Sequence, residues 1–277
     1  MEVSRDGTKN AQLFWGNGSG VGVDSLWYLE KPYKQRSAQG DTSDPYAMAS
    51  IDFGTTFSSW AYSFKHDFQQ EPTKITARTW NSGTNISQKA PTALLIKPDG
   101  KTLDKFGYEA ESKYAELAAE GEHKSWYFFR RFKMQLFKNK AVRKDLNIDD
   151  ETGKPLDAIT LFGLAIEFLK NDMMKNSGEK VVGHIEENDI KWVITVPAIW
   201  TEKSKQFMRE AAKKAGIPND RLVLALEPEA VSIYCRHLPV QKATAGSTSI
   251  SAFKPGTCYL ICDAGGGTID ITIHEVL

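Results

Sequence analysis

The sequence predicts an α/β fold: a lobe built on a mixed sheet flanked by helices, followed by the start of a second lobe. Three observations lead there. Near each end of the chain an apolar, strand-like run enters a glycine turn, Met48–Phe53 into Gly54 and Tyr259–Ile261 toward Gly265-Gly266-Gly267. Between them, residues 191–226 read as strand, helix, strand, the parallel crossover of an α/β sheet. Long amphipathic and apolar stretches lie where flanking helices are needed.

Residues 1–46 mix Gly, Ser, Asn, Lys and Asp with isolated aromatics such as Trp15, Trp27 and Tyr28, and show no sustained period. They read as a poorly ordered extension whose aromatics leave a docking role open. Met48–Phe53 is the first strand. Phe57–Phe64 returns beside it, with Trp60, Tyr62 and Phe64 alternating onto one face as in a hairpin. Ala93–Ile96 is a strand turned by Pro98-Asp99-Gly100. Glu109–Ala119 reads as a short helix. Ala158–Lys175 reads as a longer one, with Leu161, Ala165, Phe168 and Leu169 on one stripe and further apolar residues around it, a sign of deep burial.

Lys191–Val196 is a buried strand stopped by Pro197. Thr201 caps a helix carrying Phe207, Met208, Ala211 and Ala215, and Gly216 closes it. Leu222–Leu226 is the next strand, and it delivers Glu227-Pro228-Glu229 to its carboxyl end, where α/β sheets place ligand-contacting groups. A helix then runs from about Glu229 to His237. The expected division is a first lobe over 47–240, a Thr/Ser/Gly-rich linker over 241–256, and the first hairpin of a second lobe over 257–277.

The two turns, Ile51–Ser58 and Asp263–Asp270, share one design: an acid ahead of the glycine and a threonine after it. Glycine is expected there for a positive φ, and because no Cβ then intrudes where amides approach phosphate oxygens. Successive N–H groups in such a turn form an anion-binding nest, and the hydroxyls of Thr55, Thr56 and Thr268 can donate to the same oxygens. A carboxylate beside a phosphate is repelled unless a divalent cation stands between them. Mg²⁺, which keeps several waters, suits Asp52, Asp263 and Asp270. Either turn alone is an ordinary turn as readily as a site; the pair points to a nucleotide held between two half-sites. There is no Gly-x-x-x-x-Gly-Lys-Ser/Thr segment, and Gly16-Asn17-Gly18-Ser19-Gly20 lacks a preceding strand and reads as a loop.

Composition excludes several other classes. The 277 residues hold 35 basic and 35 acidic side chains, so nothing recommends nucleic acid or an anionic membrane as the main partner. No apolar stretch approaches the ~20 residues that span a bilayer, and the absence of a signal-type apolar core makes cytoplasmic residence the expectation. Cys235, Cys258 and Cys262 lack metal-type spacing and read as buried, inert thiols.

The residues also resemble a known family. Ile51–Ser58 and Asp263–Asp270 resemble the first and second phosphate motifs of the actin-fold ATPases in the seventy-kilodalton heat-shock chaperone branch. Val193–Ala198, Lys205–Gly216 and Leu226–Ala230 resemble the stretch linking the lobes. Trp192–Trp200 and Glu227–Cys235 look like the divergent twelfth subgroup. The similarity covers roughly residues 47–277.

It implies an actin-like (ribonuclease H-like) lobe with ATP and Mg²⁺ as cofactors. Asp52, Asp263 and Asp270 would hold the metal through waters. Gly54, Thr55 and Thr56 would cradle the β- and γ-phosphates from one side, and Gly265, Gly266, Gly267 and Thr268 from the other. Glu227 would act near the metal and the attacking water, with Asp263 and Thr268 beside it. A lysine is implied at the γ-phosphate; Lys133 and Arg131 both qualify, Lys133 is favoured, and a solvated basic helix face is the competing reading.

Family members continue into a whole second lobe that supplies the adenine and ribose contacts. The resemblance therefore implies a chain cut short after the second motif, expected to bind Mg-ATP with hydrolysis left open. Ile269, Ile271 and Ile273 then form an unpaired apolar edge that invites other proteins. Two alternatives accompany this reading: a non-enzymatic interaction scaffold, and a small-molecule kinase of the same architecture. The kinase ranks lower because the Val-Pro-Ala and Glu-Pro-Glu-Ala segments favour the chaperone branch.

Overall fold

The computed structural model describes residues 13–14, 45–83, 86–138, 146–178, 185–235 and 255–276. Most of the 1–46 extension and of the 241–256 linker lies outside the described residues. The fold is mixed α/β, as the sequence predicts. Its central sheet begins with β1 (Ala47–Phe53) and β2 (Phe57–Phe64), an antiparallel hairpin in which Asp52 stands opposite Ser59. Beyond β2 lie the short strands β3 (Thr76–Ala77) and β4 (Ala90–Pro91), each antiparallel to it. A second sheet is formed by β5 (Ala93–Ile96), β6 (Leu103–Phe106) and, after helix α1 (Tyr108–Glu120), β7 (Tyr127–Arg130).

Helix α2 (Lys133–Lys138) follows at once, then the long α3 (Ala158–Gly178). The chain re-enters the central sheet as β8 (Ile190–Val196), crosses through α4 (Glu202–Lys214), and returns as β9 (Leu222–Leu226) and α5 (Glu227–Cys235). Strands β8 and β9 are parallel to each other, and β8 is parallel to β1. The predicted crossover is therefore present. Its caps are those read from the sequence: Thr201 Oγ1 accepts from Ser204 N, and Gly216 follows the last turn at φ +83°.

The core lies between the central sheet and α3/α4. Helix α3 buries Ala158, Leu161, Phe162, Ala165, Ile166, Leu169 and Met173, the recurrence expected of one helical face. Phe162 meets Phe53 of β1 and Phe207 of α4 at ring-centroid distances of 5.2 Å each. Trp60 and Trp192 are almost wholly enclosed. This packing fixes β1, β8 and β9 in register. Because the three run parallel, their carboxyl ends open at one edge of the sheet.

The last hairpin, β10 (Cys258–Ala264) and β11 (Ile269–Glu275), pairs antiparallel with Asp263 opposite Asp270. Two corrections to the sequence reading arise here. Leu13–Phe14, inside the segment expected to be a poorly ordered extension, pairs in parallel with β10 at Leu260 and Ile261. Cys258 and Cys262 are free but only half-buried, because the small sheet that carries them exposes Ile269, Ile271 and Ile273. Among the described residues, no helix is long and apolar enough to cross a membrane.

Candidate nucleotide site

Three parallel strands ending at one edge bring separate segments of the chain together. Strand β1 carries Asp52 and runs into Gly54-Thr55-Thr56. Strand β8 carries Thr195, and β9 ends where α5 starts with Glu227. Thr195 Oγ1 donates to Asp52 Oδ1 at 3.1 Å, so a buried hydroxyl on the neighbouring strand orients the first acid. The β10–β11 hairpin approaches from the other side and presents its glycine turn, closed by Gly265 N donating to Thr268 O at 2.9 Å.

These groups enclose a cavity of about 380 Å³, within the range of small-molecule sites. Asp52, Gly54, Thr55, Thr56, Lys133, Glu227, Asp263, Gly265, Gly266, Gly267, Thr268 and Asp270 all line it. The sequence-predicted residues thus share one crevice. Lys89, Trp200 and Ile199 line it as well and were not singled out from the sequence.

The sequence reading also requires a correction at the glycines. Gly54, Gly265, Gly266 and Gly267 are not among the positive-φ residues, so left-handed backbone is not what these turns need. Space is. A Cβ on Gly54 would fall 2.1 Å from the Phe57 carbonyl oxygen. One on Gly266 would lie 3.1 Å from Thr56 Cβ, and one on Gly267 2.9 Å from Thr56 Oγ1. The two turns therefore touch through Thr56. Its hydroxyl oxygen is buried and has no hydrogen-bond partner among the described residues.

Lys133 reaches the cavity through a strained turn. Arg131, at φ 53°, is the one non-glycine residue with positive φ among those described, and it separates β7 from α2. That turn sends Phe132 into the core beside Phe53 and Phe162, and Lys133 into the crevice. Lys133 Nζ lies 3.1 Å from Glu227 Oε1 and 5.3 Å from the centre of the Trp200 ring. The side chain of Lys133 is 5% exposed, which removes the solvated-face reading; Arg131 is exposed and does not line the cavity.

Charge in the crevice is unbalanced, since four carboxylates (Asp52, Glu227, Asp263, Asp270) face two ammonium groups (Lys89, Lys133). Burial pushes the Glu227 carboxyl up, with Lys133 pulling it down and Asp52 and Asp263 adding repulsion. Burial likewise pushes Asp263 up, reinforced by Asp52 and Asp270. At Asp52 burial works in the same direction, but Lys89, Lys133 and the Thr195 hydroxyl outweigh it and hold the carboxyl below its ordinary value.

The raised Asp263 carboxyl makes a prediction about stability without nucleotide. Its charged form is less favourable in the folded chain than in the unfolded one. That cost sets in as pH rises from the ordinary aspartate value through the raised one, and it stands in full above the raised one. Asp263→Asn is expected to raise the thermal midpoint by about 2–4 °C near pH ~7, a gain that closes as pH is lowered toward ~4. Thermal melts across that range check this; an unchanged or lower midpoint at neutral pH contradicts it.

The donor set fits a hydrated cation. Among the described residues, no three His, Cys, Asp or Glu side chains converge to ligate one ion directly. Mg²⁺ characteristically keeps waters and binds few carboxylates plus phosphate oxygens, and Asp52, Asp263 and Asp270 line one crevice of the size a small ligand needs.

No family model matches the chain. Human heat shock 70 kDa protein 12A is 32% identical over 83% of this chain and 40% of its own length. Human heat shock 70 kDa protein 12B is 33% identical over 92% of this chain and 43% of its own. The chain thus spans about 40% of the length of the curated relatives it matches. Among solved structures, MreB5 of Spiroplasma citri bound to ADP superposes with a TM-score of 0.45 and 14% identity, over 85% of this chain and 50% of that one. The identity to 12A and 12B, sustained over most of these residues, shows that the chain belongs to the heat shock 70 kDa protein family, in its 12A/12B branch.

Proposed function

We propose that this chain is an ATP-binding module of a chaperone-type ATPase, with the triphosphate of Mg-ATP held between the Gly54–Thr56 and Gly265–Thr268 turns. The observation that carries the reading is the contact of these two turns across one crevice, with the Thr56 hydroxyl buried there and unpartnered. In this reading residues 47–240 form the first lobe and 257–277 open the second. Backbone amides of both turns and the threonine hydroxyls bind phosphate oxygens. Asp52, Asp263 and Asp270 would hold Mg²⁺, which when bound would supply neutralising charge to the triphosphate. Lys133 places its ammonium at the γ-phosphate, oriented by Glu227. Glu227, raised by burial, is suited to accept a proton from water near neutral pH.

Calorimetric titration with ATP and Mg²⁺ tests the proposal. Wild-type chain is expected to bind, and Asp52→Ala and Asp263→Ala, which alter opposite walls of the crevice, are each expected to lose at least tenfold in affinity. Wild-type binding that survives both substitutions contradicts it. Absence of binding in the wild type favours the scaffold reading instead, for which the exposed face of Ile269, Ile271 and Ile273 is the natural contact.

A further inference from the structure

Lys89 holds a position in the crevice that the phosphate-motif reading does not assign. Its ammonium lies 2.7 Å from Asp52 Oδ2, while Thr195 occupies Oδ1, so both oxygens of the first acid are engaged by protein groups. The segment that carries Lys89 is stapled onto the first glycine turn. Thr92 Oγ1 donates to Gly54 O at 2.8 Å, Thr92 N donates to Thr56 O at 2.9 Å, and the Ser58 and Thr92 hydroxyls bond at 2.7 Å. Strand β4, immediately after Lys89, pairs with the start of β2. The ammonium is therefore fixed beside the phosphate-facing backbone by the same bonds that shape that backbone.

Resting on the proposed nucleotide reading, we propose that Lys89 is a resident cation of the phosphate site. Its ammonium remains on Asp52 and directs its other N–H donors at the polyphosphate, so triphosphate binding persists in part without a divalent ion. Three considerations support this. An ammonium has three donors, and one serves Asp52. The crevice already carries twice as many carboxylates as lysines, so losing Lys89 would leave Lys133 alone against four acids. Lys89 is also the cation adjoining Asp52, so positive charge stands at that carboxylate before any divalent ion arrives.

The test is ATP affinity of the full chain by calorimetry, in Mg²⁺ and in excess EDTA, for wild type, Lys89→Met and Lys89→Arg. Wild type is expected to retain measurable binding in EDTA. Lys89→Met is expected to lose about 10- to 100-fold in Mg²⁺, the scale of charged hydrogen bonds, and to show no binding in EDTA. Lys89→Arg, which keeps the charge, is expected to fall between them. If Lys89→Met does not fold by circular dichroism, Lys89→Gln takes its place in the same titrations, with the same outcomes supporting or overturning the inference. Lys89→Met with wild-type affinity and unchanged Mg²⁺ dependence overturns this inference alone. Failure of wild type to bind Mg-ATP overturns it together with the nucleotide reading.

Discussion

Gly54→Ala is expected to abolish nucleotide binding and to lower stability, the largest effect of adding a single methyl at any turn of the site. The new Cβ would stand 2.1 Å from the Phe57 carbonyl oxygen, far inside contact distance. The obstacle is backbone, not the tip of a flexible side chain, so relief requires the turn itself to open. That carbonyl belongs to the first residue of β2, and the turn is held by Thr92 at Gly54 O and Thr56 O. Opening it disturbs the amides that face the crevice. Overpacking of this kind costs about 1–3 kcal/mol and sometimes more. Urea melts and Mg-ATP calorimetry check both parts. Gly178→Ala is the control, since a Cβ there meets nothing within 4 Å. Equal affinity for Gly54→Ala and wild type would show that the first turn does not touch the ligand.

Lys133→Met is expected to be the most destabilising side-chain change in the site. Lys133 and Glu227 form a pair whose side chains are 5% and 12% exposed. Removing one partner of such a pair strands a charge in the interior and costs about 3–5 kcal/mol, whereas removing both can be nearly neutral. Burial pushes the Glu227 carboxyl up and Lys133 pulls it down, so removing Lys133 leaves the burial cost unopposed by that lysine. Lys133→Met with Glu227→Gln is therefore expected to recover most of the stability lost by Lys133→Met, while nucleotide affinity remains reduced in both. Denaturant melts of the two single variants and the double give the coupling directly. Additive losses would mean that the pair is not an energetic unit.

Much of the scaffold was legible because its signals are local. The strand ending at Phe53, the Thr201 cap, Gly216 after the helix and the strand over Leu222–Leu226 each announce themselves within a few residues. The acids at 52, 227 and 263 were legible too, since each stands at or near the end of a strand beside a turn or helix start. Lys89 was not. Its place beside Asp52 depends on β4 folding back against β2, a pairing of two residues with no periodicity to reveal it. Lys133 could not be separated from Arg131 by spacing alone, because the choice is made by the left-handed turn at Arg131. The glycines stand where space, not left-handed backbone, is short: crowding against Phe57 and Thr56 excludes a side chain at 54, 266 and 267, at φ values other residues can adopt. The parallel strand at Leu13–Phe14 lay in a segment whose composition carries no strand pattern.

The central claim is positional, so a structure tests it most directly. A crystal structure of this chain grown with Mg²⁺ and a non-hydrolysable ATP analogue is predicted to show β- and γ-phosphate oxygens between the amides of Gly54–Thr56 and those of Gly265–Thr268. The Thr56 hydroxyl should donate to one of those oxygens. A triphosphate seated elsewhere on the molecule, with the Thr56 hydroxyl still unpartnered between the two turns, would contradict the account.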